Sequence, residues 1–183
     1  MRVWKIGYDC DNFAVMGITG LNGEAFDFFE FPYFEGEKVQ YDWSLFSEVL
    51  LSFNPQKPIS NLHEFVVGGL ALDSYAFLKL KKILPQEIQL FPLKIDDIDM
   101  KIVNILDVID CLDKTKSDIE YFDNSKDVMD VNKYVFKTNP IKNRTIFKIP
   151  QLVRTELFAT DRFRDAVLDF CLSGLLFELV YED

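Results

Sequence analysis

Asp96, Asp97 and Asp99, followed by Asp107, Asp110 and Asp113, are the residues whose spacing could do chemistry. A carboxylate pair can hydrolyse a glycoside, one acid protonating the leaving oxygen while the other activates water or attacks. Carboxylates at alternating positions can also hold a divalent cation. Calcium loops need a glycine at their sharp turn, and neither "DDIDMK" nor "DNSKDVMD" has one. Zinc spacing is absent, because His63 is the sole histidine and Cys10, Cys111 and Cys171 form no CxxC pair. The chain has no phosphate-binding glycine loop, no HExxH and no GxSxG. A lone His63 beside Glu64 reads as a satisfied residue, not as a general base. The expectation is no catalytic residue, no metal and no cofactor. A small carboxylate-dependent hydrolase is the alternative that these aspartates keep open.

Composition narrows the partners. Apolar residues make up 49% of the chain and Phe occurs 18 times, enough to fill a real core. The net charge is −10, unevenly spread. Residues 96–130 carry 4 Lys/Arg against 11 Asp/Glu, while residues 131–183 carry 8 against 7. Nucleic acid needs a basic counterpart, so neither DNA nor RNA is expected. An acidic segment suits a basic protein. No apolar run reaches the ~20 residues of a membrane helix. The opening MRVWKIGY has no leader-like apolar core, and an odd, unpaired cysteine count fits reduced thiols. A cytoplasmic protein with no membrane partner is expected.

The elements that must position these aspartates follow from periodicity. Residues 3–8 read as a strand. "FAVMGITGLNGEAFDFFEF" (13–31) reads as a hairpin turning at Asn22-Gly23. A short helix is expected over 43–53, and 54–60 is a break. "EFVVGGLAL" (64–72) is extended and kinked at its glycines. Asp73-Ser74 offers an N-cap for "YAFLKLKKIL", stopped by Pro85. "EIQLFPLKI" (87–95) is a strand. "KIVNILDVIDCL" (101–112) is apolar on both faces, which suits a central strand covered on two sides. A regular strand there would send Asp107 and Asp110 to opposite faces, so they could not act as a pair. "DKTKS" is a turn ahead of another short strand. "IFKIP" and "RTELFA" read as extended, Thr160-Asp161 as the cap of "RFRDAVLDFCLS", Gly174 as its stop, and "LLFELVY" as the last strand. Setting Asp73 beside Thr160 pairs Ala76 with Phe163 and Leu80 with Val167, a weak hint of one strand–helix–strand unit used twice. The expected fold is α+β: a mostly antiparallel or mixed sheet with two main helices. It forms a single domain over 1–183, with 1–60 hairpin-rich and 61–183 the core.

"NILDVIDCLDKTKS" (104–117) resembles the Asp-Cys-Leu-Asp signature of a bacterial immunity-protein family, small proteins encoded beside polymorphic toxins. "YVFK" (134–137), "IFKIPQLVRTELFATDRFRDAV" (146–167) and "LSGLLFELV" (172–180) are similar to that family's ending, and Pro92 lies in a strand where members often carry proline. The similarity covers 62–181 well and the N-terminal part loosely. Thr160 and Ser173 stand where serine and threonine are usual, and Arg162 where an acidic residue is frequent. The resemblance implies binding of a cognate toxin, not turnover. It makes Asn104, Asp107 and Asp110 a structural motif. From the charge distribution, Asp96, Asp97, Asp99, Asp113, Asp118, Glu120 and Asp123 are expected to form the contact surface for a basic toxin. Phe31, Tyr33, Phe34 and Trp43 are a candidate aromatic anchor, although core packing is their more ordinary job. An acidic adaptor for another basic protein is the second alternative.

Overall fold

The computed structural model describes residues 1–15, 34–40, 57–65, 68–95 and 98–183. Among them lie β1 (Arg2–Tyr8), β2 (Leu62–Phe65), β3 (Gly69–Asp73), α1 (Ser74–Leu80), β4 (Ile88–Ile95), β5 (Ile98–Ile105), β6 (Asp118–Tyr121), β7 (Val128–Lys133), β8 (Ile146–Phe147), β9 (Phe158–Thr160), α2 (Asp161–Asp169) and β10 (Leu175–Glu182). Two four-stranded sheets, ordered β2-β3-β5-β4 and β8-β9-β1-β10, and a β6-β7 ribbon are all antiparallel. The fold is α+β. Most of the hairpin expected over 13–31 and the helix expected over 43–53 lie outside the described residues.

The two large sheets share one plan. A hairpin opens each one, β2-β3 or β8-β9. A helix follows the second strand, and the chain then enters an edge strand, β4 or β10. Between second strand and edge sits an inserted strand. In the first sheet it is β5, the next in sequence; in the second it is β1, from the opposite end of the chain. The registers agree: Leu72 faces Leu62 on one side and Lys101 on the other, as Ala159 faces Ile146 and Trp4. Ala76 and Leu80 of α1 enter the same core as Phe163 and Val167 of α2. The pairing suggested by the sequence therefore has a structural counterpart, with β1 completing the second copy.

Alternation explains how β1, β8 and β9 of the second sheet serve a core on each face. Trp4, Ile6, Ile146 and Ala159 point into the helix-side core. Val3, Phe147 and Phe158 point the other way, into a core with Cys111, Leu112, Val131, Tyr134 and Phe136. Period-2 geometry divides the strands between two cores. Aromatic rings fill the second core edge to face: Phe136 meets Phe158 at 5.7 Å and 67°, and Phe147 at 6.4 Å and 89°. The Asp161 carboxylate in the first turn of α2 fastens β1, accepting from Trp4 Nε1 at 2.9 Å and pairing with Arg2 Nε at 3.0 Å.

Four sequence expectations need correction. The apolar run 101–112 is strand only to Ile105. Beyond it, Val108 N donates to Leu106 O and Cys111 N to Ile109 O, two tight turns that end the ladder and leave only single bridges to Lys148 and Phe136. Helix α1 is shorter than read: Ile83 N and Leu84 N both return to Leu80 O, closing it before Pro85 is reached. "RTELFA" is strand only from Phe158, because Thr155 N and Glu156 N fold back onto Leu152 O. Thr160 occupies the N-cap position of α2, but its hydroxyl donates to Arg144 O at 2.7 Å instead of capping the helix. Asp73 does cap α1, accepting from Ala76 N at 2.6 Å. Gly174 has φ +105° and lies beyond the end of α2, which closes at Asp169.

Candidate partner-binding surface

The signature segment begins inside the protein. Asn104 on β5 is fully buried, and its Nδ2 donates to Glu37 O at 2.9 Å. The chain then leaves the strand and crosses under Gly36, where an added Cβ would lie 2.0 Å from Val108 Cγ2. Asp107 is 9% exposed and pairs with the half-exposed Arg144 at 3.2 Å, without hydrogen-bond alignment at its Oδ2. Burial raises its pKa; Arg144 opposes the rise and Glu87 adds to it. Asp110 is exposed and accepts from Gln151 Nε2 at 3.3 Å. Between the two outer aspartates of the Asp-Cys-Leu-Asp run, Cys111 and Leu112 plug the second core. Burial pushes the Cys111 thiol up to about 12. Asp113 opens the turn that follows. Its carboxylate accepts from Thr115 Oγ1 at 2.7 Å and Thr115 N at 3.1 Å, and pairs with Lys116 at 3.5 Å. The Thr115 hydroxyl leads in holding its pKa below the usual carboxylate range.

Each of these three aspartates thus has its own partner. Among the described residues, no backbone N–H holds Asp107 or Asp110; the buried Asp107 pairs with Arg144 and the exposed Asp110 with Gln151. Among the same residues, no group of three or more His, Cys, Asp or Glu is placed to hold a metal. His63 is buried, with Nε2 2.8 Å from Ser60 O, and burial lowers its pKa.

A second buried base anchors the segment from behind. Lys148 has no exposed surface; its Nζ donates to Phe34 O and, at 3.1 Å, to Val153 O. Desolvation lowers its pKa to about 8, opposed by Glu35. Residues 34–40 lie as a strap over this region. Phe34 is held by Lys148, Glu35 by Arg154 at 2.6 Å, Glu37 by Asn104, and Val39 by the Gln89 side-chain amide through both N–H and carbonyl. Sequence reasoning missed Lys148, because a lysine in a short extended segment reads as solvent-facing. Its one sequence signal is position, between Phe147 and Ile149 in an otherwise apolar run.

The predicted contact residues separate into two places. Asp118, Glu120 and Asp123 lie exposed on the β6–β7 hairpin, with Asp113 in the turn leading into it. Asp118 faces Lys133 and Glu120 faces Asp130 across the ribbon. Asp99 sits at the opposite end of β5 from the signature, facing Lys94. Asp96 and Asp97 lie outside the described residues, as do Phe31, Tyr33 and Trp43. Phe34 is fully buried and stacks on Phe65 and Phe91 at 6.0 Å each, so its ring is core.

Between the hairpin and the Pro150–Thr155 turn runs a groove of about 1070 Å3. Tyr121, Phe122 and Met129, each more than two-fifths exposed, stand along it. The sequence did not show this feature, because its walls come from three separate stretches of chain.

Residues 99–182 match the model of the Immunity protein family (Imm11), a match that points to a toxin-neutralising role. The match spans β5 to β10 and includes the whole signature segment. No curated protein matches the chain. No helix among the described residues is long and apolar enough to cross a membrane.

Proposed function

We propose that this chain neutralises a cognate bacterial toxin by stoichiometric binding, without turnover. The family match over 99–182 carries this reading. The use made of the signature supports it: Asp107 and Asp110 brace neighbouring segments and Asp113 its own turn, as a binding scaffold requires. The toxin is basic in this reading, and the exposed Asp118, Glu120 and Asp123, with the partly covered Asp113, with Asp99 and with the adjoining Asp96 and Asp97, draw it in. Such steering raises the association rate and is screened by salt. A stable complex would remove about 1,200–2,000 Å2 from water.

The test is a pull-down with the protein encoded by the adjacent gene, then affinity at low and high salt. Tight binding that weakens with salt supports an acidic docking face. Tight binding indifferent to salt keeps the inhibitor and moves its contact to apolar residues. No binding removes the immunity reading.

A further inference from the structure

We propose that the groove between the β6–β7 hairpin and the Pro150–Thr155 turn receives an extended segment of the toxin in which carboxylates alternate with apolar side chains. This inference rests on the toxin-binding reading and adds a second contact to it, of opposite charge to the acidic side of the hairpin.

Size and lining come first. At about 1070 Å3, and with its aromatic wall in solvent, the groove lies at the upper limit of small-ligand pockets. Tyr121 is 48% exposed, Phe122 53% and Met129 43%. Three large apolar side chains left adjacent on one hairpin are costly in water and are the residue types that anchor interfaces.

Charge then selects the occupant. The chain as a whole is acidic, yet the groove is lined by Lys114, Lys126 and Arg154 against the single carboxylate of Asp127. Asp127 is engaged by the Ser125 hydroxyl at 2.7 Å, and Arg154 by Glu35. Lys114 and Lys126 form no ion pair with any described residue. Asp127 keeps its charge on accepting from a neutral hydroxyl, so the two unpaired lysines leave the groove a single net positive charge, while Asp118, Glu120 and Asp123 are not part of its lining. An acidic segment is repelled by the one side of the hairpin and held by the other. Charge complementarity of this kind fixes register as well as rate.

The signature residues build this groove. Asp110 holds Gln151, which lies in one wall. Asp113 folds the turn that presents Lys114. Cys111 and Leu112, between them, fix both aspartates to the core. Asp110 and Asp113 are thus positioning residues for a binding surface, which gives the carboxylates of that run a purpose other than chemistry.

The test uses the full chain and two probes. The first is the protein encoded by the adjacent gene, titrated against wild type, K114E/K126E and Y121A/F122A, with circular dichroism confirming that the variants fold. The altered residues are exposed or lack ion-pair partners, so folding should survive. A loss of about tenfold or more in affinity for both variants is expected, the scale of a removed interface hot spot. Wild-type affinity in both variants overturns the groove while leaving the toxin-binding reading intact. Failure of that protein to bind wild type sinks the functional reading instead, and the second probe then decides the groove. It is a short peptide alternating glutamate with leucine, compared by NMR with one alternating lysine and leucine. Shifts at groove amides from the acidic peptide alone sustain the proposal; equal shifts from both, or none, overturn it.

Discussion

Lys148 Nζ, without exposed surface, donates to the carbonyl oxygen of Phe34, 114 residues earlier in the chain. That one contact ties the strap over the signature segment to the strand end beneath it. Lys148→Met would remove the Nζ donor from the carbonyls of Val153 and Phe34. Each unsatisfied buried polar group costs about 1–3 kcal/mol, so denaturant unfolding should show a loss of that order. The pH dependence has a definite sign. The folded pKa, about 8, lies below the ordinary 10.5. Between those values the unfolded chain binds the extra proton, so the contribution of Lys148 to stability rises as pH rises through that window. Burial of Cys111 and Tyr134 raises their pKa values and works in the opposite direction there. The difference between wild type and Lys148→Met isolates the lysine, and a flat difference from pH 8 upward would refute its burial as an ammonium.

Asp107 and Arg144 make a second pH-sensitive pair. Burial raises the Asp107 pKa, and the guanidinium offsets part of that rise. A raised carboxyl pKa means that the folded state holds its proton longer, so its stabilising effect is lost as pH rises from 3.8 through the folded value. Arg144→Ala should therefore cost more near neutral pH, where Asp107 is charged, than at pH 4. Asp107→Asn should be tolerated at neutral pH, because the amide has no charge to desolvate. Urea unfolding of both variants at the two pH values checks this; equal costs for Arg144→Ala at both would show that the pair is not coupled.

Gly174 joins the two sheets. Its carbonyl accepts from Asp9 N at 3.1 Å, and neighbouring Ser173 O accepts from Leu62 N at 3.1 Å. An added Cβ would lie 2.0 Å from Leu62 O and 2.4 Å from Ser60 Oγ, with φ already at +105°. Backbone cannot give way cheaply on one side, and the dihedral is unfavourable to any L side chain. Gly174→Ala should cost at least about 2 kcal/mol in chemical denaturation. Near-wild-type stability would mean that the β10 entry is not held against β2.

Much of this architecture was legible in the residues. The Asp73 cap, the Thr160-Asp161 pair and the Val/Ile-rich run are local signals, and each fixed the start of its element, α1, α2 or β5, to within a few residues. The end of β5 was not legible. Two tight turns after Ile105 interrupt a stretch whose apolar character continues through Leu112, and composition carries no mark of them. β7 went unread for a similar reason: "VMDVNK" is half polar, and its pairing with β6 carries register shifts at both ends. Lys148 and the groove escaped because each depends on contacts between distant segments. The acidic residues were visible as a cluster in sequence. In the fold Asp99 lies at the start of β5, while Asp118 and Glu120 lie on the separate β6–β7 ribbon.

The strand inserted into the second sheet has a consequence for biosynthesis. β1 leaves the ribosome first, yet its partners are β9 and β10, and Arg2 pairs with Glu182. Closing so long a loop delays folding. A nascent or clipped copy cannot complete this sheet, since the matched span 99–182 lacks the strand that fills its interior. The second sheet is therefore complete only in a molecule that carries both β1 and β10.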